Sequence, residues 1–98
     1  MGVTPSTPNA PLRPSVAVRA STSSDGLILL DERGGLVFAS NQVGALIWEL
    51  IEQRSTPHAI VRRLVTEYGV SDERATVDVA AFVGALAARG LIAQDAQP

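Results

Sequence analysis

The stretch LILLDERGGLVFASNQVGALIWELI, residues 27–51, sets the architecture of the chain. Leu27-Ile28-Leu29-Leu30 is an apolar run too short for a helix and bounded by turn residues, which predicts a buried strand. Asp31-Glu32-Arg33-Gly34-Gly35 is a tight connection whose glycine pair can take positive φ. Leu36-Val37-Phe38-Ala39-Ser40 comes next as a second strand and completes a hairpin. Asn41 is a good helix N-cap, and Val43, Leu46, Ile47, Leu50 and Ile51 then recur at i, i+3, i+4, i+7 and i+8, the spacing of one helical face. An isolated hairpin is marginal in water, so these strands must pack on the helical segments C-terminal to them.

On the N-terminal side, residues 15–20 read as a further strand, followed by turn chemistry over Ser21–Gly26 that ends in Asp25-Gly26. On the C-terminal side, Thr56-Pro57 opens a second helix as N-cap and N1, where proline's missing N–H costs nothing. Its expected buried face is Ile60, Val61, Leu64, Val65 and Tyr68, and Gly69 stops it. Ser71 caps a third helix, with Asp72 and Glu73 in the first turn, where carboxylates favour the helix dipole. Ala75, Val79, Phe82, Val83 and Leu86 form its expected core stripe. Gly90 ends it, with Leu91 folding back towards Leu86. The order is three strands and then three helices, an α+β arrangement, and no internal repeat is present.

Ninety-eight residues make one domain. Pro, Ser and Thr crowd the first fifteen positions, too little apolar surface to offset the entropy of ordering them. This gives a flexible N-terminal tail over 1–15, a folded domain over 16–93 and a C-terminal tail over 94–98. With no cysteine there is neither a disulfide nor a thiolate metal site. No signal peptide or apolar run long enough to span a membrane is visible, so the expected location is the cytoplasm. Eight arginines and no lysines face ten acidic residues, for a formal net charge of −2. The only adjacent basic pair is Arg62-Arg63, and acidic residues run through all three helices. This is not the basic stripe that neutralises phosphates, and it counts against nucleic acid as a partner.

His58, the single histidine, falls in the first turn of the second helix with no nucleophile or orienting group beside it. Asp31 and Glu32 read as solvated turn charges. No phosphate-cradling, dinucleotide-binding or zinc-protease motif is present. The expectation is no catalytic residue, no metal and no cofactor.

Two features go beyond what a purely structural protein needs. The strand Leu36–Ser40 has no proline or charge to blunt it, should it lie at a sheet edge. In the third helix, Val77, Ala80, Ala81, Gly84, Ala87 and Ala88 carry the apolar surface well around the helix, forming a shallow trough of small side chains. Alanine's high helix propensity accounts for the same residues without any ligand. An open edge beside an apolar helix face is nevertheless what strand addition by a bound peptide requires.

From Leu29 to Ile92 the chain resembles the PqqD-like proteins, the recognition elements that bind leader peptides of ribosomally made, post-translationally modified peptides. The resemblance is carried by Leu29-Leu30-Asp31, Gly35-x-x-Phe38-x-x-Asn41 and Ala45-x-Ile47-Trp48-x-Leu50. It continues in Ile60-x-x-x-Leu64-x-x-x-Tyr68-Gly69-Val70, Asp78-Val79-x-x-Phe82 and Leu86-x-x-x-Gly90-Leu91. It implies a three-stranded antiparallel sheet followed by three helices in a winged-helix-like arrangement. It further implies a precursor's leader peptide added as a strand on the third strand, against the third helix, and handed to a partner peptidase or other modifying enzyme. The residues so implicated are Leu36, Val37, Phe38, Ala39 and Ser40, with Val77, Ala80, Ala81, Gly84 and Ala88 taken from the angular reading of the helix. Trp48 reads as packing and stays outside the site.

Two departures bear on the subfamily. Ser40 stands where members usually have leucine, and Asp31–Gly35 lacks the proline–glutamate pair usual in members dedicated to pyrroloquinoline quinone synthesis. The chain looks more like the separate leader-binding proteins of lasso-peptide clusters. Two other functions share these features: a winged-helix DNA-binding regulator, and a homodimeric scaffold whose strand edge is filled by a second copy.

Overall fold

The computed structural model describes residues 10–31 and 35–94. Residues 1–9 of the expected N-terminal tail, residues 95–98 of the C-terminal one, and Glu32, Arg33 and Gly34 lie outside them. The elements run β1 (Leu12–Pro14), β2 (Val18–Ser23), β3 (Gly26–Asp31), β4 (Leu36–Ser40), α1 (Gln42–Glu52), α2 (Pro57–Tyr68), α3 (Asp72–Ala88) and β5 (Ile92–Gln94). The three-stranded antiparallel sheet has the order β2-β3-β4, and three helices come after it, as the α+β reading expects.

Each helix starts where its capping side chain dictates. Asn41 Oδ1 accepts from Gly44 N at 3.0 Å, Thr56 Oγ1 from Ala59 N at 3.1 Å and Ser71 Oγ from Arg74 N at 3.1 Å. Each bond satisfies a backbone donor that the first helical turn leaves unpaired. Gly69 ends α2 in the left-handed region at φ 68°. At the end of α3, Gly90 takes φ 72°. Its N donates to Ala87 O and Leu91 N donates to Leu86 O, both at 3.0 Å. This is the Schellman pair, closed by contact between two buried leucines.

The core lies between the sheet and the helices. Leu27 and Leu29 of β3 meet Ile47, Trp48 and Ile51 of α1, Ile60 and Leu64 of α2, and Val79 and Leu86 of α3. Trp48 is buried, and its indole N–H donates to Glu52 Oε2 at 3.0 Å. This supplies the polar partner a buried tryptophan needs. Two residues assigned to buried faces sit further out. Tyr68 is 47% exposed, because it ends α2 beside the Gly69 turn, and Phe82 is half-buried at the margin of the α3 stripe.

The reading of residues 10–15 as tail is corrected. Leu12–Pro14 pair antiparallel with Ile92–Gln94 as a second, two-stranded sheet, which also takes Gln94 out of the C-terminal tail. Ala10 and Leu12 are buried, Leu12 N donates to Ser55 O, and Ser15 N to Leu91 O, both at 2.9 Å. Composition averages over the prolines and serines and hides Leu12, whose burial alone contributes about 1.5–3 kcal/mol. Pro14 fits at the end of a two-stranded ribbon, where its missing N–H breaks no central ladder.

The hairpin boundary shifts for a related reason. The strand expected over 15–20 runs instead from Val18 to Ser23, paired residue by residue with β3 from Val18↔Asp31 to Ser23↔Gly26. Pairing extends the strand through serines and a threonine that read as turn residues in isolation; the turn itself shrinks to Ser24-Asp25. In the next connection Gly35 has no positive φ. Its N–H donates to Asp31 Oδ1 at 3.0 Å, and Asp31 N donates back to Gly35 O at 3.0 Å.

Candidate functional site

β4 forms one edge of the sheet. The other edge, β2, is exposed and carries Arg19 and a run of hydroxyl side chains, whereas β4 is Leu-Val-Phe-Ala-Ser, with no proline or charge and, among the described residues, no further strand paired to it. Such an edge presents unpaired main-chain N–H and C=O groups to an incoming strand. The register is Leu27↔Ser40, Ile28↔Ala39, Leu29↔Phe38 and Leu30↔Leu36, so Val37 is an extra residue forming a bulge. Directly paired residues share a face of the sheet. Phe38 and Ser40 therefore point to the helical side with Leu29 and Leu27, while Leu36 (65% exposed) and Ala39 point to the open side with Leu30 and Ile28.

What joins β4 to α3 is aromatic. The rings of Phe38 and Phe82 meet edge-to-face, with centroids 5.6 Å apart and planes at 84°. The Arg89 guanidinium carbon stands 5.5 Å from the Phe38 ring centroid. A cation over an aromatic face at such a site is worth about 0.5–2 kcal/mol, depending on its exposure. Phe38, Phe82 and Arg89 thus meet between β4 and α3, where a strand added to β4 would complete a slot.

The junction beneath the slot is tight. A Cβ on Gly44 would overlap Ser40 Oγ and come within 2.6 Å of Ser40 Cβ and 2.9 Å of Phe82 Cε1. Ser40, which the resemblance marks as a departure from leucine, is thus matched here by a glycine on α1. Alanine normally stabilises a helix interior by about 1 kcal/mol over glycine. At Gly44 the sign is expected to reverse. Gly44→Ala lowers stability by about 1–3 kcal/mol through overpacking, and Ser40→Gly in the same chain recovers part of the loss. Chemical denaturation of the single and double variants checks this.

The residues inferred from sequence divide into two groups. Leu36, Val37, Phe38, Ala39 and Ser40 lie together on the edge strand. Val77, Ala80, Ala81, Gly84 and Ala88 are all exposed on α3. At about 100° per residue, Ala81 and Ala88 lie roughly 100–120° round the helix from Phe82, and Val77, Ala80 and Gly84 roughly 140–160° round. These last three therefore face away from β4, on the outside of the helix. The α3 groups that meet the strand are Phe82 and Arg89, both against Phe38. From the sequence, Phe82 is placed in the core stripe and Arg89 is not singled out. The available signal was Phe82's place at the margin of the buried stripe Ala75, Val79, Val83 and Leu86, but which flank of that stripe meets β4 is a tertiary fact.

Among the described residues, three ion pairs lie on α2 and α3. Arg74 Nε reaches Asp78 Oδ2 at 3.0 Å, Arg62 Nη1 reaches Asp72 Oδ1 at 2.6 Å and Arg63 Nε reaches Glu67 Oε1 at 3.2 Å. Among the described residues no group of three or more His, Asp or Glu is placed to hold a metal ion, and no helix is long and apolar enough to cross a membrane.

Known proteins share this fold. The family model for coenzyme PQQ synthesis protein D matches residues 26–92, which is β3 through the start of β5. Two solved structures are similar over nearly the whole chain. The first is TbiB1 in complex with the TbiA(beta) leader peptide, at 31% identity and a TM-score of 0.75, covering 87% of this chain and 99% of that one. The second is lasso peptide synthetase B1 complexed with the leader peptide, at 29% identity and a TM-score of 0.74, covering 85% and 98%. No curated protein matches the sequence.

Proposed function

The chain belongs to the PqqD family, and from that premise we propose that β4 receives a precursor's leader peptide as a fourth strand of the sheet. The protein binds the leader of a ribosomally made precursor and presents it to a processing enzyme, without catalysing a reaction itself. The observation that carries the docking mode is the unpaired β4 edge beside the Phe38–Phe82 contact. Main-chain pairing supplies affinity there, and the pocket between strand and helix supplies selectivity. Leu36–Ser40 form the strand half of the site. On α3, Phe82 and Arg89 lie at the slot, Ala81 and Ala88 lie at its outer lip, and Val77, Ala80 and Gly84 suit a second surface for the partner enzyme. That enzyme is a peptidase or cyclase, and the similarity to lasso-peptide proteins favours that class of product. A ribosomal precursor places the work in the cytoplasm. The pairing of Leu12–Pro14 with Ile92–Gln94 supports a binding domain that includes both of these segments.

The test is fluorescence anisotropy with a labelled leader peptide encoded beside this gene. Saturable binding that unlabelled leader competes away is expected, and a scrambled peptide should not compete. No saturable binding to any such leader sinks the proposal. Light scattering separates it from a scaffold role: a homodimer that peptide cannot dissociate would mean a second copy fills the edge. A gel shift on promoter DNA is expected to be blank, since Arg74 is tied to Asp78 and Arg89 lies over Phe38.

A further inference from the structure

Arg89 is placed unlike the other arginines of the helices. Arg62, Arg63 and Arg74 each hold a carboxylate, whereas Arg89 has none within ion-pair distance among the described residues. Its Nη1 donates to Ala85 O at 3.3 Å, and its guanidinium lies over Phe38. Arginine carries five N–H donors in a planar fork, so most of them remain unused here. Its approach to the ring face and its bond to Ala85 O restrain the side chain and lower the entropy lost when a ligand takes it up.

The position is set by the fold. Arg89 is the C-cap of α3, held by the Schellman bonds of Gly90 and Leu91. Towards the other end of the same flank the charge is negative but neutralised, with Asp78 bonded to Arg74. An added strand on β4 would therefore meet one unmatched cation, beside the Phe38–Phe82 contact. A planar, pre-oriented guanidinium beside an apolar pair selects a carboxylate, which it can bind through two parallel N–H···O bonds.

The geometry points to Arg89 as a specificity residue that pairs with an acidic side chain, Asp or Glu, of the bound peptide. The acid would sit at one fixed position relative to the apolar residue seated at Phe38–Phe82. This rests on the strand-addition reading and deepens it by naming the recognised chemistry.

The experiment is selection of a displayed random dodecapeptide library on the intact protein, repeated on Arg89→Glu and Arg89→Gln. The native protein should enrich peptides with an acid at a fixed spacing from an apolar residue. Arg89→Glu should exchange that acid for Lys or Arg at the same spacing. Arg89→Gln, which removes the charge and leaves the Phe38–Phe82 contact in place, should keep the apolar preference and lose the charge preference. Synthetic winners of the native selection should bind Arg89→Gln roughly 10- to 100-fold more weakly, the range expected for a charge-assisted pair. Should Arg89→Glu fail to fold, Arg89→Gln decides alone. Apolar enrichment with no acid, or an acid preference that survives both substitutions, overturns the assignment and leaves strand addition standing. Enrichment of no peptide by the native protein overturns both.

Discussion

Leu36→Pro is expected to bind a leader peptide on the order of 100-fold more weakly than the native chain while keeping its fold. Asp31 N donates to Gly35 O where β3 and β4 meet at the connection. In an antiparallel pair, main-chain groups alternate between facing the partner strand and facing away. Leu36, the next residue, is paired with Leu30 and so turns its N–H and C=O outward. A proline there removes a donor that β3 does not use, and edge strands tolerate proline. An incoming strand loses one bond, leaves its own carbonyl unpaired and meets a ring where it should approach. At about 1–3 kcal/mol for a partner left unsatisfied, with the steric hindrance added, the loss comes to roughly two orders of magnitude. Leu36→Ala retains the N–H and serves as the control for the side chain, which is 65% exposed. Anisotropy titrations give the affinities, and circular dichroism confirms the fold. A folded Leu36→Pro that binds as tightly as the native protein would show that the edge is not the docking site.

The second large effect falls on stability. Gly26, where β3 begins, has φ 139°, a region essentially closed to residues with a Cβ. A Cβ there would overlap Ser40 O and lie 2.9 Å from Asn41 Cα, both of them main-chain atoms that no rotamer change can move. Gly26→Ala is expected to cost about 3–5 kcal/mol, from backbone strain of about 1–3 kcal/mol plus the overlap. A domain of this size holds about 5–10 kcal/mol in all, so much of the population should unfold near physiological temperature. Urea denaturation reads the change as a fall of about 2 M in the midpoint. A midpoint within about 0.3 M of the native value would mean that β3 and β4 can separate here at little cost. The same substitution should weaken peptide binding, because Gly26 lies against the strand–helix junction that sets β4 in place.

Most of the fold was legible in the residues between Leu27 and Leu91. Asn41, Thr56 and Ser71 are local signals, since a cap needs only its own side chain and the amides two or three residues on. Gly69 and Gly90 end their helices for an equally local reason. The periodic faces of α1 and α3 named most of the core, because a helix with one apolar stripe has one way to bury it. The first β-ribbon was not legible. It joins Leu12 to Gln94, across nearly the full length of the chain, and a three-residue strand in a proline-rich segment carries too little pattern to reveal a partner so far away.

The candidate site divides along the same line. Local pattern was enough to mark residues 36–40 as an uncharged strand able to accept another, and to show that the third helix has apolar surface beyond its core stripe. Three-dimensional packing was needed to make β4 an edge, to bulge Val37, and to bring α3 to the strand through Phe82 and Arg89 rather than through its alanine face. The physical reason is rotational. Periodicity fixes which residues of a helix share a face, but the direction of that face in space is set by packing. In this protein that packing leaves Gly44 against both Ser40 and the Phe82 ring, with no room for a Cβ, and seats Phe82 edge-to-face on Phe38.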